Sequence, residues 1–277
     1  MSPWRRNTLE VELAPDQANL LHRERGLTLR GLRTTLRNER LPAVAGNDGE
    51  AWRGAVQALQ AALPAHAGRS VRVILSNRLV RYALVPWSAA LSDAAEEAAF
   101  ARHCFERVHG EAAAQWELRV SAGGDRAPML ASAVDARLLD ALREAFAGAG
   151  VRLDSIQPRL MAVCNEYRRR LQGRHAWLAL LEPGSLCLAL LQQGRWVRVR
   201  SLRIGPGWRE ELPMLLAREA YLGDPAAAAR DVLVWAGGLG EVRLPETERW
   251  QFHLLAAPSQ HGIAPPDAAG ALAAMEG

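Results

Sequence analysis

Two tight turns between apolar runs are the first places where this chain has the residue types for chemistry. "LEVELAPDQANLLHRERG", residues 9–26, sets two alternating runs, Leu9-Val11-Leu13 and Leu20 to Glu24, on either side of Ala14-Pro15-Asp16-Gln17. Nucleotide-handling folds open with such a hairpin and put glycines in its turn, where backbone N–H groups cradle phosphate. Here proline removes a donor, and alanine resists the positive φ that glycine permits. A second turn, Glu182-Pro183-Gly184-Ser185, again carries proline beside a carboxylate, and "WAGGLG" adds Gly237, Gly238 and Gly240 after an apolar strand.

Other chemistry is thinly represented. All 34 basic residues are arginine, so a Walker-type or Schiff-base lysine is excluded. His103 and His109 lie six apart and project about 600° apart round a helix, off any common face, so no metal site is expected. Glu96-Glu97 suits the positive end of a helix better than acid–base work. No Gly-x-Ser-x-Gly elbow occurs. Cys104, Cys164 and Cys187 lack zinc or disulfide spacing and read as reduced thiols. The net charge of +4 is spread along the chain, and Arg168-Arg169-Arg170 closes a helix, where cations suit the dipole; nucleic-acid binding is not expected.

The elements that must position these turns follow from periodicity. At 277 residues the chain is long enough for one large domain or two small ones. It has no run of about 18 apolar residues for a membrane span, and "MSPWRRNTLE" has no signal core, so a cytoplasmic protein is expected. Residues 8–36 read as a three-strand meander broken at Pro15-Asp16 and Arg25-Gly26. A helix from about Glu50 to Leu63 follows, with Trp52, Val56, Leu59 and Leu63 on one face. After the strands "VRVILS" and "LVRYALVPW", Ser92 is expected to cap a helix with a Phe100, Cys104, Val108 stripe. "QWELRVS" and "PMLASAV" form a hairpin around Gly123-Gly124-Asp125. Asp135 caps a helix with a Leu138, Leu142, Phe146 stripe that ends in Gly148-Ala149-Gly150. A strand, "VRLDSIQP", and a helix from Arg159 to Leu171 complete the first half.

Residues 172–175 mark a boundary, after which the pattern begins again: three strands, Gly205-Pro206-Gly207 as a strand-to-helix turn, a helix from Trp208 to Leu222, the strand "DVLVW", the glycine turn and a last strand in "WQFHLLAAP". The tail from Ser259 reads as disordered. Among nine tryptophans, Trp87, Trp177 and Trp235 read as core; Trp4, Trp196, Trp208 and Trp250 have polar neighbours and are candidate surface anchors.

A meander, helix and strand occurring twice resembles the actin/hexokinase/Hsp70 (ASKHA) superfamily. "VRVILSNRLVRYALVPWSAALSDAAEEAAF" and "MLASAVDARLLDALREAFAGAGVRLDSIQPRLMAV" resemble the PilM/GspL (MshI-like) group of actin-like proteins from type IV pilus, MSHA-type pilus and type II secretion assembly platforms. The resemblance implies an α/β (α+β) fold of two ribonuclease-H-like domains, 1–172 and 173–258, with an inserted α+β subdomain at about 87–135. Only 26 residues, 206–231, stand where relatives carry a helical subdomain, so the second lobe is expected to be truncated.

The same resemblance places Glu12, Ala14, Glu182, Gly184, Ser185, Gly237, Gly238 and Gly240 at degenerate nucleotide loops. It implies a non-catalytic scaffold that docks the N-terminal tail of a PilN-like inner-membrane protein, and it flanks the docking groove with Arg78, Val80, Arg81, Tyr82, Trp87, Phe100 and Cys104. No cofactor is expected; the alternative is an Mg-ATP-binding switch or weak ATPase. A sugar-kinase relative is disfavoured by the lack of an obvious catalytic aspartate in the first hairpin.

Overall fold

The alternation in residues 8–42 produces a long antiparallel meander, seen in a computed structural model that describes residues 8–28, 31–44, 50–91, 93–121, 126–222, 229–237, 239 and 242–255. Strands β1 (Thr8–Ala14), β2 (Gln17–Thr28) and β3 (Gly31–Pro42) pair in register, with Ala14 opposite Gln17 across the Pro15-Asp16 turn. The expected break at Arg25-Gly26 is absent: Gly26 pairs with Arg33, and β2 runs on to Thr28. A lone glycine weakens a strand without removing its ladder bonds.

Helix α1 (Arg53–Ala62) covers this sheet through Trp52, Val56, Leu59 and Leu63, the face that the periodicity marks. It ends in a 3₁₀ turn, Leu63–His66, three residues short of the next strand, since Pro64 removes the donor that would extend the helix. Strands β4 (Ser70–Leu75) and β8 (Arg152–Pro158) add in parallel and give the order β3-β2-β1-β4-β8.

The second half repeats this frame. Strands β9 (Ala176–Glu182), β10 (Ser185–Gln192), β11 (Arg195–Arg203), β12 (Asp231–Ala236) and β13 (Gln251–Leu254) make the order β11-β10-β9-β12-β13, again an antiparallel meander extended by two parallel strands. Helix α6 (Trp208–Tyr221) is the one helix between the second meander and β12 among the described residues. Both β9 and β10 are buried on both faces, as their unbroken apolar runs require. One face packs on α6. The other meets helices α4 (Arg159–Glu166) and α5 (Arg168–Leu171), whose Leu160, Val163 and Leu171 form a core shared by the two halves.

Between β4 and β8 a small antiparallel sheet is inserted: β5 (Arg81–Val85), β7 (Met129–Asp135) and β6 (Trp116–Val120), in the order β5-β7-β6. It begins at Arg81, ahead of residue 87. Helix α2 (Ala94–His109) lies on one face, capped by Asp93, whose carboxylate accepts from the N–H groups of Ala95 and Glu96. Its buried row is Ala101 and Phe105; Phe100 and Cys104 flank it half-buried, and Val108 is exposed, which displaces the expected stripe by one position. Helix α3 (Ala136–Gly148) follows β7, capped by Asp135 as expected, with Leu138, Leu142 and Phe146 buried.

The tryptophans correct the sequence reading. Trp208 and Trp250 are buried, with the guanidinium groups of Arg209 and Arg249 over their rings, so the polar neighbours are cations capping aromatic faces. Trp87 is 46% exposed, and Trp235 is half-buried. Ser92, Trp4, Gly123 to Asp125 and the tail from Ser259 lie outside the described residues.

Candidate functional site

The two meander turns face each other across the cleft between the halves, and side chains from both fill it. Glu12 on β1 and Arg159 at the start of α4 come from the first half; Glu182 at the end of β9 and Trp235 on β12 come from the second. The Arg159 guanidinium donates to Glu12 Oε1 at 2.7 Å, approaches Glu182 Oε1 at 3.8 Å and lies 4.8 Å over the Trp235 ring. Glu182 Oε2 accepts from the Asn77 N–H at 2.8 Å, and the Tyr82 hydroxyl hydrogen-bonds Asn77 Oδ1 at 2.7 Å. Arg78 closes the rim on Asp16 at 3.0 Å.

Burial pushes the Glu182 carboxyl above its ordinary value; Arg159, the Asn77 N–H and the Ser76 hydroxyl oppose that shift, while Glu12 adds to it. The free space left among these groups is ≈ 40 Å³, about what one water occupies.

The loop residues singled out in the sequence therefore gather at this cleft, in altered roles. Glu12 and Ala14 line it, and Glu182 and Ser185 are both buried. Gly184 has φ +75° in a two-residue turn with Pro183, the left-handed conformation that a type II turn places after proline and that favours glycine. A Cβ on Gly237 would lie 2.0 Å from the Trp235 ring, so the space that this glycine leaves is taken by the chain's own indole. Gly238 and Gly240 lie outside the described residues. The fold family implies a triphosphate here, and these residues do not fit one: two carboxylates face the cleft, one turn lacks glycine, and an arginine already neutralised by Glu12 occupies the centre.

A far larger space lies elsewhere. A groove of ≈ 710 Å³ runs between the small inserted sheet and the first half, floored by Leu130, Ser132 and Val134 of β7, Leu139 and Phe146 of α3, and Leu153 and Ile156 of β8. Its position follows from strand alternation: Met129, Ala131 and Ala133 face α2, so Leu130, Ser132 and Val134 face the opposite side. Along its rim Glu117 pairs with Arg119 at 2.8 Å and Arg143 at 3.0 Å. Strand β6 forms the free edge of the sheet beside it.

The residues expected to flank a docking groove are dispersed by the fold. Val80 is in the core of the first half, and Tyr82 is enclosed against both cores. Arg78 belongs to the cleft rim, and Arg81 is exposed. Phe100 and Cys104 belong to α2, on the other side of the sheet from the groove, and Trp87 is exposed beside Arg126, 5.8 Å from its ring. None of the seven lines the large groove. Sequence reasoning missed Arg159, Trp235 and the β7 face. For the last, "MLASAV" alternates Met129-Ala131-Ala133 with Leu130-Ser132-Val134, two largely apolar rows that mark a strand but not which of its faces is left open.

The thiols are poorly disposed to react: burial pushes Cys164 up to about 12, and Cys187 higher still. No helix among the described residues is long and apolar enough to cross a membrane.

No family model matches the chain, and no curated protein does. Solved structures do. The cytoplasmic domain of EpsL, an inner membrane component of the type II secretion system of Vibrio cholerae, matches with a TM-score of 0.58 at 13% identity, covering 91% of each chain. The PilM-PilN type IV pilus biogenesis complex matches with a TM-score of 0.58 at 17% identity, over 84% of this chain and 82% of that one. A Bacteroides thetaiotaomicron protein with an actin-like ATPase fold and unknown function matches with a TM-score of 0.52 at 9% identity, over 87% of each. The chain has the actin-like fold: two sheets of identical strand order facing a cleft, with a small sheet inserted in the first half.

Proposed function

We propose that this protein is a non-catalytic cytoplasmic scaffold of a pilus or type II secretion assembly platform, held at the inner membrane by docking the cytoplasmic tail of a PilN-like membrane protein. The observation that carries the reading is the contrast between the two spaces: ≈ 40 Å³ in the cleft that other actin-like folds use, against ≈ 710 Å³ in the groove beside the inserted sheet. The groove combines an apolar floor with a free strand edge at β6. An extended peptide uses both at once, its backbone pairing with the edge and its alternate side chains entering the floor. Likeness to a complex described as PilM-PilN supports a membrane-protein tail as the occupant. The docking position moves accordingly, from the 78–87 segment and α2 to β6, β7, α3 and β8.

Calorimetric titration of a synthetic partner tail is expected to show one peptide per chain; no heat at high micromolar peptide would count against docking. The competing reading, an ATP-binding switch, draws on the actin-like fold itself. A ligand selective for the native state raises its melting temperature, so millimolar Mg-ATP is expected to leave the melt unchanged. A clear upward shift would restore the nucleotide reading.

A further inference from the structure

At the outer end of the first half, far from both cleft and groove, three potential metal ligands converge. His22 stands on β2, Glu39 on β3 and His66 in the 3₁₀ turn after α1. The register pairs Glu39 with Leu20, so His22, two residues beyond Leu20, shares a sheet face with Glu39. That face is the one that α1 covers, and the turn through Pro64 brings His66 down onto it. The imidazole centroids of His22 and His66 lie 4.9 Å apart, and the ligand atoms of all three residues lie within 4.8 Å of one another. Placed 17 and 44 positions apart in the chain, they have no spacing that a motif would reveal.

We propose that His22, Glu39 and His66 bind one zinc-class divalent ion, with water in the remaining position. Two imidazoles and one carboxylate suit zinc, cobalt, nickel or copper and disfavour magnesium and calcium, which require oxygen ligands. Tetrahedral zinc places its ligand atoms about 3.4 Å apart, so the three groups must draw in by roughly 1.4 Å. Exposure leaves room for this: Glu39 is exposed and His22 half-buried, so both side chains can turn toward the buried His66. Zinc here would tie the β2–β3 hairpin to the end of α1, a structural role independent of what the groove binds.

The test uses tag-free, chelator-stripped full-length protein titrated with zinc chloride, with cobalt(II) absorption as a second readout. One zinc per chain is expected, with a raised melting temperature and tetrahedral cobalt bands. Glu39→Gln and His22→Gln are each expected to weaken zinc binding roughly tenfold or more, the loss typical of disturbing a metal shell, and to abolish the cobalt bands. Because Glu39 is exposed, its variant should melt like the wild type without zinc. Absence of binding at high micromolar zinc, or one zinc that persists undiminished in both variants, would overturn the site.

Discussion

Arg159 stands where one guanidinium must answer two carboxylates from opposite halves of the molecule. With 6% of its surface exposed and Glu182 at 7%, it is a buried charge cluster, in which removing one member leaves an uncompensated charge. Arg159→Ala is therefore expected to lower unfolding free energy by about 3–5 kcal/mol in urea titrations. Glu182 gives a pH test. Its folded pKa is raised by burial, so the native state holds that proton to higher pH than the unfolded chain does. Its contribution to stability is greatest below the ordinary carboxylate value and falls as pH rises from there to the raised folded value. Measured against Glu182→Gln, wild-type stability should decline over that window; a difference that grows with rising pH would contradict the assignment of burial as the dominant cause. Trp235 and Gly237 complete the cluster, since the missing Cβ is what lets the indole lie beneath Arg159.

At the scale of elements, β7 decides what the inserted sheet can do. Its two rows of side chains serve two masters: Ala131 and Ala133 seat α2, and Leu130, Ser132 and Val134 floor the groove. Ser132 is half-buried at that floor, so Ser132→Trp should fill the groove while leaving the α2 face intact. Peptide affinity is expected to drop at least about tenfold, equivalent to about 1.4 kcal/mol, with helical circular dichroism unchanged; undiminished binding would remove the groove from the docking site. The elements themselves were legible because local signals agree: Asp135 caps α3, the Trp52-Val56-Leu59-Leu63 row packs where its period says, and the second meander repeats the first. The groove was not legible, because it depends on which face of β7 the first half leaves uncovered. Nor was the ion pair that fills the cleft, where Arg159 lies 147 residues from Glu12. The displaced α2 stripe has a local reason: alanine at 101 lets the helix approach the sheet, and larger neighbours flank the contact.

For the molecule as a whole, duplication explains the architecture. Each half repeats one strand order, and the α4–α5 pair is sandwiched between them, so an apolar core and an ion cluster fasten the halves together. A frame fastened in this way suits holding a partner better than opening and closing on a nucleotide. Hydrogen exchange with and without the partner tail tests this most directly. The expected result is slowed exchange confined to β6, β7, β8 and the facing part of α3, with the two meander turns unaffected. Protection at those turns instead, or at α2 and residues 78–87, would contradict it.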